Sequence, residues 1–193
     1  MKIRIKIQGA LVFAALLAAV FLPKALFARR SNLFLEVSLD VIGMAIVLFG
    51  FLFRISARGY KEENTFNGHA LVKSGPYKIT RNPMYFGTFM IGIGTITALF
   101  QMWAFFVFAV GFMLIYSAQT GKEERVLSER FGPDYADYCE VTPKYFPSPR
   151  NLLKLRGYIR LKPFWIKKEL ASMIATIVGI AALLAGKFYL IKK

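Results

Sequence analysis

Residues 71–87, LVKSGPYKITRNPMYFG, hold two prolines, two glycines and two tyrosines, and they run straight into an apolar stretch that extends from residue 84 to about 117. Irregular backbone of this kind cannot face lipid, because its N–H and C=O groups would go unpaired in hydrocarbon. It must pack against protein or line a wet pocket at the membrane surface. The composition agrees that a membrane is involved. The chain is 56% hydrophobic with a mean hydropathy of +0.46, above the 45–50% apolar content usual for soluble domains. A net charge of +15 could serve nucleic acid or anionic lipid, and among this many apolar segments it points to lipid headgroups and away from nucleic acid. The single cysteine, Cys139, rules out an intrachain disulfide, and the single histidine, His69, argues against a metal centre.

The apolar segments define an all-α integral membrane protein with about five transmembrane helices. Residues 1–8 are basic at Lys2, Arg4 and Lys6, and an apolar run follows to about Ala28. That run continues past Pro23 to Arg29 and Arg30 without a small-x-small cleavage site, so it reads as a retained first span and not a signal peptide. Residues 33–53 form the second span, with Glu36 and Asp40 one turn apart near its start, placed for interfacial pairing with Arg29 and Arg30. Residues 54–80 read as a polar loop. The run 84–117 is too long for one untilted span, so Gln101 marks the turn of a tight helical hairpin. Gly87, Gly92, Gly94 and Gly111 suit close packing there.

Residues 119–149 return to water, with a short helix over 123–130 stopped at Phe131 and Gly132, and a second opened by Pro133 that carries Tyr135 and Tyr138. Residues 150–168 contain seven basic residues and no acid, interleaved with apolar ones, which suits a segment lying among anionic headgroups. A last span covers about 170–191, where Ala175, Gly179, Ala182 and Gly186 form a small-residue packing stripe. If both long polar loops are cytoplasmic, that side carries twenty basic residues against six on the other. The positive-inside rule then sets the orientation, in the cell (inner) membrane.

The hairpin brings its two polar ends together on that face. Asn82 and Pro83 read as N-cap and first residue of the hairpin helix, whose electropositive start suits a carboxylate. Glu123 and Glu124, at the far end, can accept hydrogen bonds from an ammonium or a ribose. A zwitterionic amino-acid ligand would have both needs met across the hairpin. Beside Lys122 and Arg125, the Glu pair also reads as an ordinary solvated helix face.

The run GHALVKSGPYKITRNPMYFG, the apolar hairpin, then EERVLSERFGPDYADYCEV and a proline resemble the isoprenylcysteine carboxyl methyltransferase family and its phospholipid methyltransferase relatives. The resemblance covers about residues 67–147 and leaves the first two spans and the last outside it. It implies S-adenosylmethionine (SAM) as cofactor, held in a cytoplasmic region between loops and helices, and three parts to the chain: residues 1–66, a methyltransferase core at 67–149, and a basic segment with a terminal span at 150–193. Carried over by position, His69, Ala70, Leu71, Val72, Tyr77, Asn82, Pro83, Met84 and Tyr85 would line the cofactor. Glu123 would hold its methionine end, with Glu124 beside it. No metal is implied.

Two departures matter. The family's usual R-H-P-x-Y reads R-N-P-M-Y here, which removes a histidine base at position 82 but keeps hydrogen-bonding capacity. Eukaryotic carboxyl methyltransferases place a substrate-contacting arginine four residues before the first Glu, and Gln119 stands there. The reaction implied is in-line methyl transfer to a lipophilic carboxylate, amine or thiol acceptor, with alignment and exclusion of water as the protein's main contribution. A carboxylate or thiolate acceptor needs no base; for an amine, Tyr85 or a Glu would take the proton. Arg81 would orient an anionic headgroup or anchor lipid phosphate. Two other readings remain open at this level: a sterol-reductase-like NADPH oxidoreductase, and a non-catalytic protein that binds anionic lipid.

Overall fold

A computed structural model describes residues 21–28, 30–65, 70–153 and 155–191. Most of the first expected span lies outside them, as do Arg29 and His69. After the short helix α1 (Pro23–Leu26), the Asn32 side chain accepts the Leu35 N–H at 3.2 Å and starts α2, Leu33–Asn64. This helix is longer than the 33–53 span expected, and the polar loop begins only after it. Residues 54–64 contain no proline, and Ile55, Ser56, Ala57 and Gly59 are buried against neighbours, so tertiary packing extends the helix where hydropathy alone ends it. At 1.5 Å per residue the apolar part spans about 30 Å, the thickness of a bilayer core. The remainder projects about 16 Å beyond it.

The hairpin forms as expected, with α3 (Pro83–Leu99) and α4 (Met102–Phe131) meeting at Phe100 and Gln101. Residues 26–28 hold the turn: Ala28 N–H bonds Leu99 O at 2.9 Å, and Gln101 N–H bonds Leu26 O at 3.0 Å. The separate short helix expected over 123–130 is instead the last part of α4, which meets no proline before its end. The stop at Phe131 is as expected. Gly132 adopts φ 49°, a left-handed conformation open to glycine, and Pro133 opens α5, Pro133–Val141. Helices α6 (Pro149–Leu153) and α7 (Leu155–Tyr158) lead into α8, Pro163–Ile191. Among the described residues α2, α4 and α8 are long and apolar enough to cross a membrane, and α3 is a shorter apolar helix.

The glycines act differently from the expectation. Among the described residues only Gly92 tightens the hairpin, giving room to the Phe108 ring, while nothing there lies within 4 Å of a Cβ at Gly111. Aromatic rings fill the hairpin instead, with Phe112 stacked on Tyr116 at 4.2 Å and Phe89 edge-on to Phe112 at 5.0 Å. Gly87 and Gly94 face α2, opposite Gly50 and Gly43. A Cβ on Gly94 would sit 2.7 Å from Val47 N, and one on Gly50 the same distance from Gly87 O. Backbone lines both sides, so neither helix can yield locally. Gly94→Ala is expected to destabilise the protein by about 1–3 kcal/mol, read as a lower thermal midpoint in detergent, with Gly111→Ala unchanged.

Helix α8 begins seven residues before the expected 170, and its first turns are tied to α2. Lys162 and the Trp165 indole both bond Glu63 of α2, at 2.6 and 2.9 Å, and Lys168 pairs with Glu62. The Trp165 ring lies against Gly59 with 3% exposure. Further along α8, nothing among the described residues lies within 4 Å of a Cβ on Gly179 or Gly186, so the small-residue stripe does not pack against them. On the opposite membrane face Asp40 pairs with Arg30 at 3.5 Å as expected, while Glu36 pairs with Lys187 of α8 at 2.9 Å.

Candidate active site

The turn-rich stretch is pinned in place from residue 75 onward. Gly75 takes φ 59° beneath the Tyr60 ring and opens a 3-10 turn, Gly75–Lys78. Tyr138 of α5 donates to the Tyr77 carbonyl at 2.6 Å. Burial raises the phenol pKa of Tyr77, Tyr135 and Tyr138 well above the ordinary range, so these groups stay protonated and serve as donors. Residues 80–82 interlock with 143–145: Arg81 N–H bonds Pro143 O at 2.9 Å, and buried Thr80 turns its hydroxyl to the same loop. Asn82 occupies the N-cap position and Pro83 the first helical one, as expected. The Asn82 side chain makes no cap, however; its amide donates to Lys144 O at 3.0 Å.

Around these elements lies a cavity of about 780 Å³, within the 300–1,000 Å³ range of small-molecule sites. Ala70, Leu71, Val72, Tyr77, Arg81, Asn82, Pro83, Met84, Tyr85, Glu123 and Glu124 all line it. Apart from His69, which is not described, the residues proposed for the site from the sequence therefore line one cavity. The structure also separates the two glutamates. Glu124 faces two cations, Lys144 at 2.6 Å and Arg81 at 3.0 Å. Burial opposes the charge on Arg81, but Glu124 and Cys139 outweigh it and the guanidinium pKa is raised. The hydrogen bond from Lys144 to Glu124 likewise raises the ammonium pKa. Glu123 takes only neutral donors, Tyr85 Oη at 2.6 Å and Gln119 Nε2 at 2.7 Å. Among the described residues no lysine or arginine pairs with it. Among the described residues Glu123 is thus a carboxylate without a cationic partner.

Residues 39–134 match the phospholipid methyltransferase family. The chain belongs to the phospholipid methyltransferase family. Its similarity extends to the cobalt-zinc-cadmium resistance protein CzcN of Cupriavidus metallidurans, 32% identical over 115 residues, which cover 58% of this chain and 50% of that one. It is also similar to the protein-S-isoprenylcysteine O-methyltransferase of Xenopus laevis, 32% identical over 118 residues, covering 56% and 41% of the two chains. The nickel-cobalt-cadmium resistance protein NccN of Alcaligenes xylosoxydans xylosoxydans is 37% identical over 79 residues, 40% of this chain and 36% of its own. The chain thus spans half or less of the length of these curated relatives.

Several lining residues were not assigned to the site from the sequence: Arg54, Thr88, Tyr116 and Ser172, with Tyr138 read only as part of a short helix. Arg54 was legible as the first cation after the apolar run of α2, and Thr88 lies one turn beyond Met84. Ser172 stands on α8, outside the family match, and only the packing of α8 against α2 brings it here. The glutamine at position 119 has a visible consequence. Its amide bonds Glu123 without cancelling the charge.

Proposed function

We propose that this protein is a SAM-dependent membrane methyltransferase acting on a lipophilic acceptor. One observation carries the reading: Glu123, free of any described cation, lines the same cavity as the family's turn-rich motif. The donor set fits the cofactor. Glu123 would hold the ammonium of the methionine end, aligned by Tyr85 and Gln119. The start of α3, with Pro83 and Met84, offers an electropositive helix end for the carboxylate. Val72 and Tyr77 supply apolar and aromatic surface for an adenine. Bound SAM supplies a methyl group already activated on a sulfonium.

The chain's own residues then orient, desolvate and align. Glu124, neutralised by Arg81 and Lys144, ties α4 to the 143–145 loop and closes the cavity floor. Arg81 has its guanidinium directed at Glu124 and Cys139, so its part is to fix that floor and not to meet the acceptor. With an amine acceptor, Tyr85 can relay a proton to Glu123 through its existing 2.6 Å bond. By the positive-inside rule the cavity opens on the cytoplasmic face, and the acceptor reaches it laterally from the bilayer.

Isothermal titration of the purified protein tests the reading. Micromolar SAM binding with no NADPH binding is the expected result. NADPH binding instead, or neither ligand, would overturn it. Labelled SAM incubated with membrane extract would then identify the methylated product.

A further inference from the structure

The cavity has a second end, which reaches past the family match to the terminal helix. From Glu123 it passes across the first turns of α3 to Arg54 of α2, Thr88 of α3 and Ser172 of α8. Arg54 is the first charged residue below the apolar part of α2, so this end lies at the level where headgroups meet hydrocarbon. Its stem crosses α3 at Gly87, where an added Cβ would lie 2.7 Å from Arg54 Cγ. The guanidinium then donates to Thr88 Oγ1 at 2.8 Å through Nη1, and to Glu169 Oε2 at 3.2 and 2.9 Å through Nε and Nη2.

Glu169 stands one turn before Ser172 on α8 and is fully buried. Its other oxygen accepts from Arg58 Nη1 at 2.8 Å. Two guanidinium groups share one carboxylate, so the cluster keeps a net positive charge. Lys61, a turn further along α2, lines the same cavity. The remaining guanidinium hydrogens of Arg54 have no acceptor among the described residues, and its side chain is 20% exposed. The two ends of one cavity therefore carry opposite needs: a free carboxylate at Glu123 and a fixed, partly open cation at Arg54.

We propose that Arg54, held by Glu169 of the C-terminal helix, is the acceptor-selecting group of this site and takes an oxyanion, carboxylate or phosphate, of an amphiphilic acceptor. This rests on the methyltransferase reading. Arg54 touches the acceptor; Glu169 is a positioning residue, fixing the guanidinium plane so that its open edge faces the cavity. An oxyanion gains two parallel charge-assisted bonds from such a fork, with the acyl chain left in the bilayer. The terminal helix, outside the family match, would then set acceptor choice on a shared cofactor core.

The test uses the full chain in maltoside micelles, loaded with S-adenosylhomocysteine and titrated with decanoate, decyl phosphate, decylamine and decyl maltoside. Saturable binding of decanoate or decyl phosphate is expected, at least tenfold weaker in Arg54→Gln and partly restored in Arg54→Lys. Decylamine and decyl maltoside should not distinguish the variants. The stronger of the two anionic ligands assigns the acceptor to carboxylate or phosphate chemistry. Glu169→Gln should weaken the same ligand while leaving SAM affinity within twofold, a split that general loss of structure would not produce. Should Glu169→Gln fail to fold, the Arg54 pair decides alone, because Arg58 still neutralises Glu169 in both. Equal anion binding in wild type and Arg54→Gln, with SAM binding intact, overturns this inference only. Absence of SAM binding in the wild type overturns the methyltransferase reading, and this one with it.

Discussion

Glu123→Ala is expected to weaken SAM binding by at least about 30-fold, while Glu124→Ala acts first on stability. Adjacent in sequence, the two side chains have opposite electrostatic surroundings. Glu123 presents a carboxylate with only Tyr85 and Gln119 as partners, so an incoming ammonium would be its first cation. Truncating one member of a desolvated, hydrogen-bonded charge pair costs about 2–5 kcal/mol, hence the expected loss. Glu123→Gln keeps the shape and removes the charge, and should lose nearly as much.

Glu124 already has Arg81 and Lys144, and its removal leaves two partly buried cations facing each other across the cavity floor. The expected signature is a lower thermal midpoint with a smaller, secondary loss of affinity. Because Glu124 raises the Lys144 pKa, this contribution is fully present below the ordinary lysine range. It fades only as the pH climbs through the raised value. Titration calorimetry and thermal unfolding on both variants separate the roles; identical profiles for the two would show that the glutamates act as one unit.

The contrast between these neighbours marks what a sequence can convey. Hydropathy located the second, hairpin and terminal spans, and Gln101, Gly132 and Pro133 fixed three boundaries, because turn chemistry is local. The cavity wall was legible for the same reason: residues 70–85 are contiguous, and a hairpin of known length returns the chain to them at 123. The projection of α2 to Asn64 was not legible, since it depends on Trp165 packing over Gly59, a contact between segments about a hundred residues apart. Gly87 and Gly94 were recognisable as packing residues, but composition cannot say which neighbour they admit, and that neighbour is α2. Nor does residue order show that Glu123 would lack a cation while Glu124 took two. Sequence places both beside Lys122 and Arg125; the structure directs Arg125 to Glu129 at 3.0 Å.

The largest loss of stability is expected from Glu169→Ala, about 3–5 kcal/mol, the usual cost of removing one partner from a buried ion pair. That corresponds to a thermal midpoint lower by roughly 10 °C for a chain of this size. Glu169 is fully buried where α2, α3 and α8 meet, and it neutralises Arg54, whose side chain is 20% exposed, and Arg58, at 46%. Without it, Arg54 is the costlier orphan, because Arg58 can turn to water. Arg58→Gln alone should therefore shift the midpoint little. The double variant Arg54→Met, Glu169→Met should recover most of the loss, since replacing a buried ion pair by apolar groups of similar volume is often neutral. Thermal unfolding of these variants in detergent checks the order: Glu169→Ala far below wild type, with Arg58→Gln and the double variant close to it. If the double variant recovers stability but not anion binding, the charge at this junction serves ligand selection, and the attachment of α8 rests on its apolar packing.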